Sequence, residues 1–306
     1  MTPVSRFVLT GFPGRGLSTK IRRRLEVLAP AGVVLFRRNV GTPAEVRRLT
    51  AELRDALGPG ALIALDQEGG RVSRLTPPFT QWPPMRRLGE TAAPALARAV
   101  GRAMGRELVA AGFNCDLAPV LDVDSNPANP VIGDRAFSSD PRAVARLALA
   151  FAAGLEDAGI LPCGKHFPGH GDTETDSHLT LPVVRRPRSL LQRCELLPFR
   201  AAVRAGLPLL MTAHVVYTAL DPLRPATLSP AILRSLLRER LGYRGAVVTD
   251  DLAMHALDAS GSLPEVAVAS FAAGADLVLA CQSLDDGEVA CAALRDAVHS
   301  GAIGRD

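Results

Sequence analysis

The feature that most constrains the fold is a regular alternation of short apolar runs with longer segments rich in Ala, Leu and Arg. The apolar runs predict strands at Phe7–Thr10, Gly32–Phe36, Leu62–Asp66, Asp116–Leu121, Pro162–His166, Leu209–Ala213, Ala246–Thr249 and Asp276–Ala280. The intervening segments predict helices near Ser18–Leu28, Pro43–Leu57, Ala93–Ala111, Pro141–Ala158, Ser189–Ala205, Pro230–Leu241, Leu263–Ala273 and Asp286–Ser300. Strands that alternate with helices predict a parallel sheet. About eight such units in 306 residues fit an α/β fold of the (β/α)8 TIM-barrel type, with a doubly wound open sheet as the alternative.

Polar residues at the strand ends favour the barrel. Asp66, Lys165, His166, His214 and Asp250 lie at or just beyond the C-terminal ends of different predicted strands. Barrel enzymes gather their catalytic groups on that face. No linker-like stretch divides the chain, so we expect a single catalytic TIM-barrel domain over residues 1–306.

Composition excludes several classes of partner. The net charge is +4, but the Arg residues are scattered and aromatic residues make up only 4%, which argues against nucleic-acid binding. No uncharged apolar run reaches the roughly 18 residues of a membrane span. The five cysteines fit no zinc or disulfide spacing, and we see no signal-peptide pattern, so we expect a cytoplasmic protein.

Residues 165–178 form the segment with the densest chemistry. They read Lys-His-Phe-Pro-Gly-His-Gly-Asp-Thr-Glu-Thr-Asp-Ser-His and hold three of the six histidines and one of only two lysines. Such a set on a Gly-containing loop after an apolar strand predicts an active-site loop. Asp176 and His178 lie two residues apart, so in an extended segment they point the same way. A carboxylate beside an imidazole raises its pKa and suits a general acid/base.

The same segment allows two other interpretations. His166, His170 and Asp172 could be metal ligands, since the His-x3-His spacing occurs in zinc sites on helices. The intervening Pro-Gly pair forbids a helix, so the metal signal is weak. Lys165 could instead be a Schiff-base lysine, as in aldolases on the same fold.

Two further segments carry candidate residues. Asp250 and Asp251 follow an apolar strand, where adjacent acids are costly unless bonded or used, and we interpret Asp250 as functional with Asp251 supporting it. Asp66 and Arg74 flank a Gly pair and could bracket sugar hydroxyl groups, the carboxylate accepting and the guanidinium donating. Arg135 offers another guanidinium on a later loop. The structural alternative for Asp250 and Asp251 is a helix cap and a solvent-facing acid. For the segment with Asp66 and Arg74 it is a plain turn with solvated charges.

Together these motifs resemble glycoside hydrolase family 3, specifically the bacterial single-domain β-N-acetylhexosaminidases. The similarity includes the segment 165–178, the segment Leu236–Ala253, and the runs Asp66–Arg74 and Gly133–Phe137, in the family's order. The resemblance implies that Asp250 is the nucleophile and that His178, paired with Asp176, is the acid/base. It also implies a set of residues that bind N-acetylglucosamine: Asp66, Arg74, Arg135, Lys165 and His166.

The expected activity is therefore that of a retaining exo-β-N-acetylglucosaminidase, which needs a nucleophile and a group that donates and then removes a proton. By resemblance, it acts on small carbohydrate substrates, namely muropeptides in cell-wall recycling, as a monomer without cofactor or metal. The nearest alternative is a glycoside phosphorylase on the same scaffold. A zinc hydrolase using His166, His170 and His178, a Schiff-base aldolase and a non-catalytic sugar-binding protein are the others.

Overall fold

The structure, a computed structural model, describes residues 4–177 and 180–304, and its centre is a closed barrel of parallel strands. Within those residues the barrel strands are β1 Val8–Thr10, β2 Gly32–Val34, β3 Leu62–Leu65, β4 Cys115–Asp116, β5 Leu161–Phe167, β6 Leu209–Thr212, β7 Ala246–Asp251 and β8 Leu277–Ala280. Each strand pairs in parallel with the next one in the chain, and β8 pairs with β1. The predicted (β/α)8 TIM barrel is confirmed, because an open sheet would leave two edges unpaired.

Each barrel strand in the described residues is followed by one of the eight helices that pack around the barrel. These helices are α1 Thr19–Leu28, α2 Pro43–Leu57, α3 Pro94–Ala110, α4 Pro141–Asp157, α5 Leu196–Ala205, α6 Ala231–Arg240, α7 Leu263–Ala273 and α8 Leu284–His299, of which α6 is a π-helix. Helix α2 begins with a capping box, in which the Thr42 hydroxyl accepts from the Glu45 N–H and Glu45 accepts from the Thr42 N–H. Helix α5 ends at Gly206, whose left-handed backbone suits glycine.

The structure differs from the sequence prediction at two elements. The predicted strand Asp116–Leu121 is reduced to β4, because Pro119 has no N–H to give to a ladder. The carbonyls of Ala118 and Pro119 still accept from β5, and an isolated bridge joins Val120 to Lys165. The predicted helix Ser189–Ala205 is two helices, Arg188–Arg193 and α5, since Cys194 has the non-helical angles φ −111° and ψ −84°. Glu195, which follows this break, is fully buried and bonded to Arg186.

Shorter elements lie in the loops that follow the strands. A hairpin follows β3, with strands Gln67–Gly69 and Val72–Ser73, and a three-stranded sheet joins Val183–Val184, Val216–Tyr217 and Asp221–Pro225. One further α-helix covers Met85–Glu90. The 3-10 helices are Val4–Phe7, Arg37–Asn39, Gly133–Arg135, Ala226–Leu228 and His255–Ser260.

The core has two layers that follow from the two-residue period of strands. Alternate strand residues such as Leu9, Met211 and Val248 pack together inside the barrel, while their neighbours pack against the helices. The interior layer includes Cys115, Cys163 and Cys281, and burial raises the pKa of each thiol. These cysteines therefore behave as small apolar residues. Among the residues described, no helix is long and apolar enough to cross a membrane.

Candidate active site

A cavity of about 450 Å³ opens at the C-terminal ends of the barrel strands. Six of the residues predicted from sequence line it together: Asp66, Arg74, Arg135, Lys165, His166 and Asp250. Phe36, Met211 and Met254 contribute apolar surface. A larger cavity of about 950 Å³ lies outside the barrel between α1 and α8, lined by other residues such as Val27 and Arg295. The first of these two cavities combines ionisable groups from several strand ends, and the second does not.

Lys165 is buried near the end of β5 between two carboxylates. Its Nζ lies 2.7 Å from Asp66 Oδ1 and 2.6 Å from Glu68 Oε1. Burial by itself lowers the pKa of Lys165, but the two carboxylates outweigh it and hold the pKa above its usual range. A Schiff-base lysine needs a free amine, which is usually obtained by lowering the pKa. The environment of Lys165 is the opposite, and it disfavours the aldolase interpretation.

Glu68 joins Lys165 to Arg135. The Arg135 guanidinium contacts both oxygens of Glu68, with Nε–Oε2 at 2.8 Å and Nη2–Oε1 at 2.9 Å. Burial raises the pKa of Glu68, but Arg135 and Lys165 outweigh it and lower the pKa to about 2. The 3-10 helix Gly133–Arg135 brings the guanidinium to the cavity. Glu68 therefore fixes two of the predicted sugar-binding cations in place.

The hairpin after β3 reverses the chain and brings Arg74 back to Asp66. Gln67 stabilises the turn, because its Oε1 accepts from the backbone N–H groups of Arg74 and Leu75. The Arg74 Nη2 then lies 2.8 Å from Asp66 Oδ2. Asp66 is consequently shared between Arg74 and Lys165, and these cations hold its pKa below the usual range despite burial. The group presents acceptors and donors side by side, as recognition of sugar hydroxyls requires.

His166 is oriented by Asp122, a fully buried residue in the loop after β4. Its Nδ1 lies 2.7 Å from Asp122 Oδ2, and its backbone N–H donates to Asp122 Oδ1. Burial raises the pKa of Asp122, but His166 outweighs it, so the pKa lies below the usual range. An ionised carboxylate accepts from Nδ1–H and sets the tautomer of the ring.

Asp250 lies near the end of β7 and lines the cavity. Burial raises its pKa, but the imidazoles of His214 and His166 and the N–H of Asp251 outweigh it, so the pKa lies below the usual range. His214 also donates from Nε2 to the carbonyl oxygen of Asp251 at 3.0 Å, and its Nδ1 lies 2.7 Å from Thr227 Oγ1. Asp250 is thus an ionised carboxylate on a fixed backbone, as a nucleophile must be.

Asp251 has a different role from its neighbour. Its carboxylate accepts from the N–H groups of Ala253 and Cys281, each at 3.2 Å, which ties the end of β7 to the end of β8. Burial raises the pKa of Asp251 to about 6, since these bonds compensate only in part. The structure therefore places Asp251 as a support for the backbone that carries Asp250.

The candidate metal ligands have other partners. Both ring nitrogens of His170 lie 3.0 Å from hydroxyl groups, Nδ1 from Thr173 and Nε2 from Ser177. Asp172 pairs with Arg186 at 2.7 Å. In the parts of the chain that the structure describes, no group of three His, Cys, Asp or Glu residues could hold a metal ion. These contacts disfavour the zinc interpretation of His166, His170 and Asp172.

The predicted proton-transfer pair is only partly described. His178 lies outside the described residues, and so does any contact of its ring. Asp176 is described, and its carbonyl accepts from the Thr180 N–H at 3.0 Å. Ser177, between them in sequence, is buried and lines the cavity.

Sequence reasoning missed Glu68 and Asp122 and assigned no role to His214, although all three hold the site together. Glu68 lies two positions after Asp66 and so could have been placed on the same side of an extended segment. His214 lies two positions after the end of β6, and its place near a strand end was visible in the sequence. Asp122 follows an irregular segment in place of a regular strand, and no local pattern indicated that it would reach His166.

Comparisons with known proteins identify the family of the chain. Residues 15–306 match the N-terminal domain of glycosyl hydrolase family 3. A beta-hexosaminidase from Neisseria meningitidis serogroup C is 45% identical over 276 residues, which cover 88% of this chain and 76% of that protein. NagZ from Neisseria gonorrhoeae, solved with N-trifluoroacetyl-D-glucosamine, is 39% identical with a TM-score of 0.87, over 95% of this chain and 86% of that one.

A longer relative has the same barrel. The family 3 β-N-acetylglucosaminidase from Paenibacillus sp. FPU-7 is 42% identical and superimposes with a TM-score of 0.95 over 99% of this chain. The present chain spans 58% of that protein's length. Match, fold and cavity agree, and the chain belongs to glycoside hydrolase family 3.

Proposed function

We propose that the protein is a retaining β-N-acetylhexosaminidase that removes terminal non-reducing β-linked N-acetylglucosamine. The observation that carries the proposal is the position of Asp250: an ionised carboxylate at a strand end, in the same cavity as the Asp66, Lys165 and Arg74 network. Relatives named beta-hexosaminidase and β-N-acetylglucosaminidase support the choice of sugar.

In the proposed mechanism, a carboxylate oxygen of Asp250 attacks the anomeric carbon while the bond from that carbon to the leaving oxygen breaks. His178, oriented by Asp176, donates a proton to that oxygen, so the aglycone leaves as an alcohol. His178 then removes a proton from water, which attacks the anomeric carbon and releases Asp250. The net retention follows from two inversions at one carbon.

The remaining groups bind the sugar in this proposal. Asp66 accepts from hydroxyl groups, while Arg74, Lys165 and Arg135 donate. His166 is held by Asp122 in a single orientation and can bond at its other nitrogen. Because Glu68 neutralises much of the charge of Lys165 and Arg135, the pocket favours a neutral sugar over an anion.

We also propose the physiological setting. The substrates would be small muropeptides of cell-wall recycling, met in the cytoplasm by a monomeric enzyme. The cysteines of the chain are free thiols, which suits a reducing compartment. Size-exclusion chromatography with light scattering would give the molar mass in solution and so test whether the enzyme is a monomer.

Product analysis on chitobiose tests the reaction itself. Proton NMR during turnover should show β-N-acetylglucosamine first, and its rate of formation should not depend on added phosphate. N-acetylglucosamine 1-phosphate as the product would establish the phosphorylase, and binding without turnover would establish a sugar-binding protein.

Asp250→Ala should lose roughly 10⁴-fold or more in kcat on an aryl β-N-acetylglucosaminide. Near-normal activity of that variant would refute the nucleophile assignment.

A further inference from the structure

His170 is a buried histidine that the proposed mechanism does not use. It is 2% exposed and lies in the turn after β5. Its backbone N–H donates to Asp122 Oδ1 at 2.7 Å, and the same oxygen accepts from the backbone N–H of His166. The two imidazole rings pack edge to face with centroids 5.7 Å apart. His170 is therefore attached to the rigid end of the barrel beside a predicted sugar-binding residue.

The ring of His170 joins two hydroxyl groups across the loop. Nδ1 lies 3.0 Å from Thr173 Oγ1, and Nε2 lies 3.0 Å from Ser177 Oγ. Asn129 holds the Thr173 side, donating from Nδ2 to Thr173 Oγ1 at 3.0 Å and to the His170 carbonyl at 2.9 Å. Asn129 is itself fixed, because its Oδ1 accepts from the N–H groups of Val131 and Ile132. Ser177 is thus connected to the loop after β4 through a continuous chain of hydrogen bonds.

His170 is suited to hold Ser177 but unsuited to transfer protons itself. Burial, followed by the proximity of His166, lowers the pKa of His170 to about 4, so the ring is neutral near pH 7. A neutral imidazole has one N–H and one acceptor nitrogen, and each faces a hydroxyl that can take either part. Both nitrogens are thereby engaged.

A separate anchor holds the middle of the same loop. Arg186 binds Asp172 at 2.7 Å and Glu195 at 2.8 Å, and Glu195 is fully buried. Loss of the bond between His170 and Ser177 would therefore leave the loop attached at Asp172. The expected effect is a local shift of residues next to Ser177, which lies 3% exposed in the wall of the cavity.

We propose that His170 is a positioning residue, which acts through Ser177 to hold the backbone that carries Asp176 and thereby supports proton transfer to the leaving-group oxygen. The inference rests on the proposed function, in which Asp176 and His178 carry the proton. Ser177 directly follows Asp176 in the chain, so a bond to its side chain restrains the backbone next to Asp176. A displacement near 1 Å can cost about 100-fold in rate when reacting groups must be aligned.

The test compares substrates that need a proton with substrates that do not. The reducing-end sugar of chitobiose would have to leave as an alkoxide unless its glycosidic oxygen is protonated, whereas 2,4-dinitrophenolate leaves readily without protonation. For each substrate kcat/KM is measured, because it reports the step that forms the glycosyl-enzyme. Ser177→Ala should lower kcat/KM about 10- to 100-fold on chitobiose and less than about threefold on the dinitrophenyl glycoside.

Two variants of His170 give a matched pair. His170→Gln carries an amide at the place of Nε2 and can still reach Ser177, while His170→Asn can reach only Thr173. We expect the substrate-dependent loss in His170→Asn and partial rescue in His170→Gln. The double variant His170→Asn/Ser177→Ala should lose no more than either single one, since both remove the same bond. Ser300→Ala, which deletes a hydroxyl at the end of α8, is the control for a remote serine.

The inference would be overturned if kcat/KM of the Ser177 and His170 variants fell no more on chitobiose than on the dinitrophenyl glycoside. It would also be overturned if kcat/KM did not fall at all. His178→Ala on the same two substrates separates this outcome from failure of the proposed function. If His178→Ala shows the substrate dependence and the Ser177 and His170 variants do not, only the positioning role is wrong. If His178→Ala shows none, the acid/base assignment itself fails.

Discussion

The carboxylate of Glu68 and the guanidinium of Arg135 form a buried two-point ion pair, with both oxygens contacted at 2.8 and 2.9 Å. Side chains 67 positions apart in sequence meet here beneath the proposed sugar site. Lys165 shares the same carboxylate. One acid therefore balances two cations, and the charge of the site depends on a residue that is not itself predicted to touch the sugar.

Glu68→Gln should be strongly destabilising, because it keeps the shape of the side chain but removes the carboxylate charge that the buried Arg135 pairs with and that Lys165 shares with Asp66. Loss of one partner of such a pair costs about 3–5 kcal/mol in the free energy of unfolding, which urea denaturation would measure. Asp157→Asn breaks an exposed pair with Arg98 and should change stability little. Equal effects of the two variants would contradict this account.

The cost of Glu68→Gln should also depend on pH. The pKa of Glu68 is lowered in the folded state to about 2, below its ordinary value. Its stabilising contribution is therefore present above about pH 4.5 and is lost as the pH falls toward 2. The difference in unfolding free energy between wild type and variant should shrink over that range, and a constant difference would contradict the assignment.

Asp251→Asn should change the pH dependence in the opposite direction. The pKa of Asp251 is raised to about 6 in the folded state, so its contribution is present below about pH 4 and is lost as the pH rises through 6. The asparagine variant can still accept from Ala253 and Cys281 but does not ionise. Relative to it, wild type should lose about 2 kcal/mol in unfolding free energy between pH 4 and pH 7. A pH-independent difference would mean that the Asp251 pKa is ordinary.

Lys165 should resist borohydride trapping. The ammonium is held between Asp66 and Glu68, and its raised pKa leaves almost no free amine to form an imine with a sugar aldehyde. After incubation with N-acetylglucosamine and borohydride, a peptide map should show no adduct at Lys165. An adduct at Lys165 in a peptide map would restore the Schiff-base interpretation.

Gly171→Ala should damage the site through the backbone. A Cβ at Gly171 would lie 1.6 Å from the carbonyl oxygen of Val123, so the loop that carries Gly171 would have to move away from the loop after β4. Overpacking of this kind costs about 1–3 kcal/mol, and kcat/KM should fall as well. Gly16→Ala is the matched control, because a Cβ there meets nothing within 4 Å. Normal activity of Gly171→Ala would show that the loop can move without consequence.

The sequence alone determined the architecture and the main chemical groups. Apolar runs of strand length between amphipathic segments are local patterns, and they predicted the barrel because backbone hydrogen bonding leaves few ways to bury such strands. Polar residues at strand ends, such as Asp250 and Lys165, stood out for the same local reason. The pattern failed at β4, where proline replaces a ladder donor.

Tertiary structure alone decided how those groups work together. The pairing of Lys165 with Asp66 spans 99 positions and depends on the parallel pairing of β3 and β5 with β4, which brings the ends of β3 and β5 to one cavity. Sequence reasoning treated His170 as a possible metal ligand, and the fold instead gives both its nitrogens to hydroxyl groups. The charge state of a buried group depends on its neighbours in space. A motif can therefore indicate which residue is functional, but not its pKa or its partners.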